Sequence, residues 1–70
     1  MYTLHATYRD GRELEISGIN AIRLKDREIS GDELLHQELS LYGALHLTGP
    51  DRNCFVDCTH AIFLGIVKEK

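Results

Sequence analysis

The stretch that decides the fold is residues 45–67, LHLTGPDRNCFVDCTHAIFLGIV. Apolar and polar residues alternate before and after a turn at Gly49-Pro50-Asp51, which is typical of two strands joined as a hairpin. Residues 62–67 then carry apolar side chains on both faces of a further strand, and such a strand needs cover on both sides. The pattern predicts the closing strands of a small, mainly β barrel.

Length and charge restrict the function further. The chain has 70 residues and a formal net charge of −3, which predicts one domain over residues 1–70 with a core so small that self-association is a common remedy. No basic run is present to neutralise phosphates, so the charge disfavours nucleic acid. No run approaches the roughly 20 apolar residues of a membrane span. Two cysteines without a signal-peptide pattern lead us to expect a cytoplasmic protein that contacts no membrane.

The first part of the chain predicts a β-hairpin. Apolar residues alternate with polar ones on both sides of a turn at residues 9–11. A three-residue loop there pairs Ala6 with Leu14 and keeps the apolar residues on one face, whereas a two-residue loop would mix apolar and polar residues. We therefore predict a type I turn with Gly11 in the left-handed conformation of a G1 bulge. Ser17-Gly18 is expected to break or bend the second strand.

The middle of the chain predicts one short helix. Ser30 and Glu33 fit a capping box. Apolar side chains then recur at helical spacing, at Leu35, Leu39 and Tyr42. We expect the helix near residues 31–41, and the sequence leaves open whether Tyr42 ends this helix or begins the next strand.

Cys54, Cys58 and His60 raise the question of a metal site. Residues four apart in a strand lie roughly 13 Å from one another, whereas all ligands of one zinc ion lie about 2.0–2.3 Å from it. The same separation is too long for a disulfide bond between the two cysteines. Two reduced cysteines that face the core are the favoured interpretation, and a thiol and histidine metal site is the weaker alternative.

The sequence contains no pattern typical of an enzyme. A nucleophilic pair of Cys58 and His60 would also need an orienting group and an oxyanion site. Neither a glycine-rich phosphate loop nor a pair of carboxylates at catalytic spacing is present. We expect a protein without catalytic activity and without a cofactor.

The last two strands predict an interaction surface. If Val56 and Cys58 face the core, Phe55 faces outward, and Phe63 lies on the face opposite to that of Ile62. The outward face is covered either by the predicted helix or by a second subunit or partner that adds to the edge of the sheet. The residues of this predicted surface are Phe55, Phe63, Gly65 and Val67.

Two short motifs resemble a known family. The run Cys58-Thr59-His60-Ala61-Ile62 stands between the last two strands, and Tyr42 lies in a run, residues 40–45, that enters a strand. Both are similar to signatures of the Sm-like family, particularly its bacterial hexameric RNA chaperone. The resemblance implies a ring of subunits with a uridine pocket, in which Tyr42 would stack on the base, His60 would be its polar partner and Thr59 would replace a lysine.

Together these patterns predict a mainly β fold, a small SH3-like or Sm-like barrel of about five strands with one short helix near residues 31–41. We expect a non-catalytic regulatory module that self-associates and binds a protein partner through its C-terminal strands. One alternative is an oligomeric Sm-like RNA-binding protein with Tyr42, Thr59 and His60 in its pocket, which the acidic charge disfavours. The other is a metal-binding protein with Cys54, Cys58 and His60 as ligands.

Overall fold

The described residues form a mainly β fold with two antiparallel sheets and one short helix. A computed structural model describes residues 1–24, 26–36 and 43–69. The elements in chain order are β1 (Tyr2–Tyr8), β2 (Glu13–Ile19), β3 (Ala21–Arg23), β4 (Glu28–Ser30), a 3₁₀ helix (Gly31–His36), β5 (Ala44–Gly49), β6 (Arg52–Asp57) and β7 (Ala61–Lys68). One sheet has the strand order β2-β1-β7 and the other the order β4-β3-β5-β6.

The first hairpin has the predicted register. Ala6 pairs with Leu14. The Tyr8 amide donates to the Arg12 carbonyl at 2.9 Å and the Gly11 amide donates to the Tyr8 carbonyl at 3.0 Å. Gly11 has a φ of +91°, so the predicted three-residue loop with a left-handed glycine is confirmed.

The predicted break at Ser17-Gly18 is a bulge that carries the chain from one sheet to the other. The register between β1 and β2 shifts by one residue at this point, and Gly18 has a φ of +72°. The Gly18 amide donates to the Glu69 carboxylate at 2.9 Å. After the bulge, the Asn20 amide donates to the Thr48 carbonyl at 2.9 Å, and β3 continues in the second sheet.

The second sheet contains one strand that the sequence pattern did not reveal. Residues 25–28 form a charged run in the sequence, yet Glu28 belongs to β4, which pairs with β3. The strand has three residues and buries only Ile29, so it offers too little alternation to be recognised. With β2 and β3 separated by the bulge, seven strands are described instead of about five.

The described part of the predicted helix is of the 3₁₀ type, and it buries a leucine other than the expected one. It is a 3₁₀ helix over Gly31–His36, and Ser30, the last residue of β4, directly precedes it. Leu34 is 1% exposed and Leu35 is 39% exposed, so the prediction that Leu35 faces the core is wrong. The expectation rested on a period of 3.6 residues, and the tighter 3₁₀ turn has three. Leu39 and Tyr42 lie outside the described residues.

The core draws on both sheets and on the helix. Its fully buried side chains are Leu4, Ile19, Ile22, Ile29, Leu34, Leu45 and Leu47. The described parts of the sheets are not joined between β6 and β7, because β6 pairs with β5 alone and β7 pairs with β1 alone. Both strands therefore border an open side of the fold.

Candidate interaction surface

Strand β7 is an edge strand with an apolar outer surface. Its side chains Ile62, Phe63 and Val67, here called the β7 surface, are 63%, 58% and 51% exposed. The 3₁₀ helix packs against β7 but leaves these three side chains uncovered. A long, exposed and apolar edge strand is a site where another strand can pair.

A bulge in β7 places Ile62 on this surface. The register with β1 shifts between Thr7 and Tyr8, which pair with Phe63 and Ala61, so Ile62 is the extra residue. The expectation that Ile62 lies opposite Phe63 and faces inward is wrong, because a bulge ends the strict alternation of faces. No feature of the apolar run signals the bulge in the sequence.

The inner side of β7 is incompletely covered. Leu64 and Ile66 face the core cluster but remain half-buried, whereas Leu4 beside them on β1 is fully buried. Cys54 on β6 is half-buried as well. Strands β6 and β7 thus leave apolar surface accessible on the side where the described parts of the sheets are not joined.

The hydrogen-bonding direction of β7 follows from its pairing with β1. The Glu69 amide donates to the Met1 carbonyl at 2.9 Å, and hydrogen-bonded and non-hydrogen-bonded pairs alternate along an antiparallel ladder. The amides and carbonyls of Phe63, Gly65 and Val67 therefore point toward β1. Those of Leu64, Ile66 and Lys68 point to the opposite side, here called the β7 edge, where no strand in the described part of the chain pairs with them.

Gly65 is covered by a side chain of its own strand. A Cβ at this position would lie 3.1 Å from Cζ of the Phe63 ring. The ring thus lies over the glycine and fills the space that a side chain would occupy. Phe63 and Gly65 form one continuous part of the outer face of β7.

Strand β6 presents a second aromatic group at its own edge. Phe55 is 75% exposed, which confirms that it points outward while Val56 and Cys58 face the core. Its ring stacks on His46 with a centroid distance of 4.2 Å and an interplanar angle of 16°. A His46 ring nitrogen is hydrogen-bonded to the Asn53 side chain, which fixes the imidazole from the other strand.

The stack could have been found from the hairpin register. Gly49 pairs with Arg52, so the loop consists of residues 50 and 51. This two-residue loop sets His46 opposite Phe55.

Beside the stack, a groove of about 860 Å³ runs along the ends of β3 and β5, and Arg23 and Leu24 are among its lining residues. Arg23 is already paired with Glu28 at 3.5 Å.

The segment between β6 and β7 is held by Asp57. Its carboxylate accepts hydrogen bonds from the Thr59 hydroxyl at 2.6 Å and from the Thr59 amide at 2.9 Å. The hydroxyl, then the amide, lower the pKa of Asp57 below its usual value because both bonds favour the charged form. The Tyr8 hydroxyl donates to the Asp57 carbonyl at 3.1 Å. Thr59 and His60 are exposed at this kink, and Tyr42, the third residue of the uridine pocket that the resemblance implies, lies outside the described residues.

Both cysteines are free thiols. Cys58 is 5% exposed and belongs to the core cluster, and burial, followed by the charge of Asp57, raises the pKa of its thiol. In the described part of the chain, no three His, Cys, Asp or Glu side chains form a group that could hold a metal ion. The hypothesis of a site at Cys54, Cys58 and His60 gains no support from this geometry.

Comparison of this chain with protein-family models, with curated proteins and with solved structures gives no match. Among the helices of the described ranges, none is long and apolar enough to cross a membrane. The interaction surface must therefore be interpreted from its own residues.

Proposed function

We propose that this protein is a small, non-catalytic regulatory module that self-associates and binds a protein partner through β6 and β7. The observation that carries the proposal is the exposed apolar outer face of β7 on a strand whose second edge has no neighbour in the described part of the fold. Addition of a strand to such an edge satisfies its backbone groups and places the side chains of the two strands against one another.

We further interpret the two sheets as a small SH3-like or Sm-like barrel that is open between β6 and β7. The bulge at Gly18 joins β2 to β3, and close contact between Gly18 and Gly49 brings the two sheets together at that point. In this interpretation the open side is the part of the barrel that an added strand completes. The half-buried Leu64, Ile66 and Cys54 border this opening and support the interpretation.

Chain length supports self-association as well. A domain of about 70 residues has a core that rarely contributes more than roughly 3–5 kcal/mol, and association of folded chains adds to this stability by mass action. Each fully buried Phe or Val side chain contributes about 1.5–3 kcal/mol relative to its exposed state. Even partial burial of the β7 surface in an oligomer would therefore add substantially to the stability of this protein.

The charge of the molecule favours a protein over a nucleic acid as the partner. The net charge is −3, and one basic side chain on β3 and one on β7 are already in ion pairs, Arg23 with Glu28 and Lys68 with Asp32, both at 3.5 Å. An extended segment of a protein can pair with an edge strand through its backbone and place alternate side chains against Phe55 or the β7 surface.

Substitution of Val67 by Asp tests the proposal. Multi-angle light scattering is expected to show the wild-type chain above its monomer mass of 8.0 kDa, whereas Val67→Asp is expected at the monomer mass, since a buried carboxylate in the interface is costly. Asn20→Asp is the matched control, because it adds the same charge at an exposed position away from β7. Equal masses for all three folded proteins would overturn the proposal.

A further inference from the structure

We propose that β7 pairs with β7 of a second copy of this chain, antiparallel and centred on Gly65. The inference rests on the proposed function, since it requires self-association, and it specifies which strand pairs and in which register. The result is a continuous six-stranded sheet with the order β2-β1-β7-β7-β1-β2 across the two chains. A two-fold axis passes beside Gly65.

The backbone of β7 has the groups that this pairing needs. The amides and carbonyls of Leu64 and Ile66 point to the β7 edge, away from β1, as the alternation set by the Glu69–Met1 bond requires. In a pairing centred on Gly65, Leu64 lies opposite Ile66 of the second copy. Each such pair exchanges two hydrogen bonds, so the two symmetric pairs give four.

The side chains are complementary in the same register. On the outer face, Phe63 lies opposite Val67 of the second copy, which is the aromatic and β-branched combination that stabilises antiparallel strands. On the inner face, Leu64 and Ile66 of the two chains cover one another, and both are half-buried in the single chain. Lys68 lies opposite Ile62, so no like charges face each other along the strand.

Neighbouring registers are less favourable. Centring on Ile66 sets Leu64 opposite Lys68 and Phe63 opposite Glu69. Centring on Leu64 sets Phe63 opposite Gly65 of the second copy, but the space above that glycine is already filled by its own Phe63 ring, 3.1 Å from a Cβ built there. The register about Gly65 leaves each ring in place and adds Val67 of the second copy beside it.

Cysteine cross-linking tests the register directly. Gly65 faces Gly65 of the second copy as a non-hydrogen-bonded pair, in which Cα atoms are about 4.5 Å apart, within the range that a disulfide bond spans. In a Cys54→Ser background, Gly65→Cys is expected to form a covalent dimer on oxidation with diamide. Phe63→Cys in the same background is the matched control, since two such residues would lie about 13 Å apart along the strand and should give no covalent dimer.

A second measurement does not require position 65 to accept a cysteine side chain. An equimolar mixture of Phe63→Cys and Val67→Cys chains is expected to form the mixed disulfide, whereas each variant oxidised alone is not. Light scattering of the wild type distinguishes a failure of this pairing from a failure of self-association. A wild-type monomer would overturn both the proposed function and this pairing. A wild-type oligomer that gives neither the Gly65→Cys dimer nor the mixed disulfide would overturn the β7 pairing alone.

Discussion

At the scale of single residues, Gly49 determines how closely the two sheets approach. It is the last residue of β5, and a Cβ built on it would collide with the carbonyl oxygen of Gly18. The obstacle is backbone at a bulge with a φ of +72°, so it cannot move aside as a flexible side chain can. The absence of a side chain at Gly49 thus allows β2 to cross from one sheet to the other beside β5.

We expect Gly49→Ala to destabilise the protein by about 1–3 kcal/mol, the usual cost of inserting an extra carbon into a tightly packed position. Gly43→Ala is the matched control, because its Cβ would lie 3.5 Å from the Thr59 hydroxyl, an ordinary contact. Its effect is expected to stay within about 0.5 kcal/mol. Urea denaturation of both variants measures the difference, and equal stabilities would contradict this account of the contact.

Asp32 is the residue that ties the helix to the central strand β1 and the edge strand β7 of the first sheet. Its carboxylate accepts a hydrogen bond from the Tyr2 hydroxyl at 2.7 Å and lies 3.5 Å from the Lys68 ammonium group. The Tyr2 bond, and then the charge of Lys68, lower the pKa of Asp32, and the same bond raises the pKa of Tyr2. Both shifts indicate that folding favours the ionised Asp32 together with the neutral Tyr2.

The pH dependence of stability follows from the lowered pKa of Asp32 and the raised pKa of Tyr2. A lowered carboxyl pKa stabilises the folded state at pH values above the unfolded pKa, and this contribution is lost as the pH falls through the folded pKa. A raised phenol pKa stabilises below the unfolded value near 10 and is lost as the pH rises through the folded value. We therefore expect the wild type to exceed Asp32→Asn in stability at neutral pH, with the difference shrinking in acid below about pH 4. Thermal unfolding of both proteins from pH 2 to pH 8 measures this difference in stability. A difference that is constant over this range would be inconsistent with a hydrogen bond from Tyr2 to an ionised Asp32.

At the scale of elements, the 3₁₀ helix closes one side of the core with a single side chain. Leu34 is fully buried, and the neighbouring Leu35 is exposed. The helix contacts β3, β4 and β7, so it links both sheets. One inward-facing residue in six is enough because the helix is short and its other residues face solvent.

Alanine substitutions separate the two leucines. Leu34→Ala is expected to cost about 2–5 kcal/mol, as for other fully buried leucines, whereas Leu35→Ala is expected to cost less than about 1 kcal/mol. Chemical denaturation of the two variants measures both values. A larger loss for Leu35→Ala would show that the helix has the 3.6-residue register expected from the sequence.

The elements with strong local signals were predictable from the sequence. The loop of residues 9–11 was fixed by the need to keep Ala6 and Leu14 on one face, and the outward position of Phe55 followed from the inward one of Val56. Strand β4 was not predictable, since Ile29 is its one buried residue. The bulge at Ile62 was equally hidden, because a run that is apolar at successive positions does not show a change of face.

At the scale of the whole molecule, β6 and β7 are the edge strands that border the open side of the described fold, and they differ in character. Strand β6 carries the Phe55–His46 stack beside polar neighbours, whereas β7 is apolar at most positions from Ala61 to Val67. A pairing of β7 with a second copy would bury the β7 edge and leave Phe55 on β6 accessible. We expect β6 to be the side on which a different protein binds, a division that sequence periodicity alone did not suggest.

Sedimentation equilibrium of the wild-type protein is the most direct test of whether this chain associates with itself through β7. Data collected over a range of concentrations should give a mass that rises from 8.0 kDa toward twice that value or above it, as mass action requires. Phe63→Asp measured over the same range should stay at the monomer mass. A wild-type protein that is folded and remains at 8.0 kDa at every concentration would contradict the account.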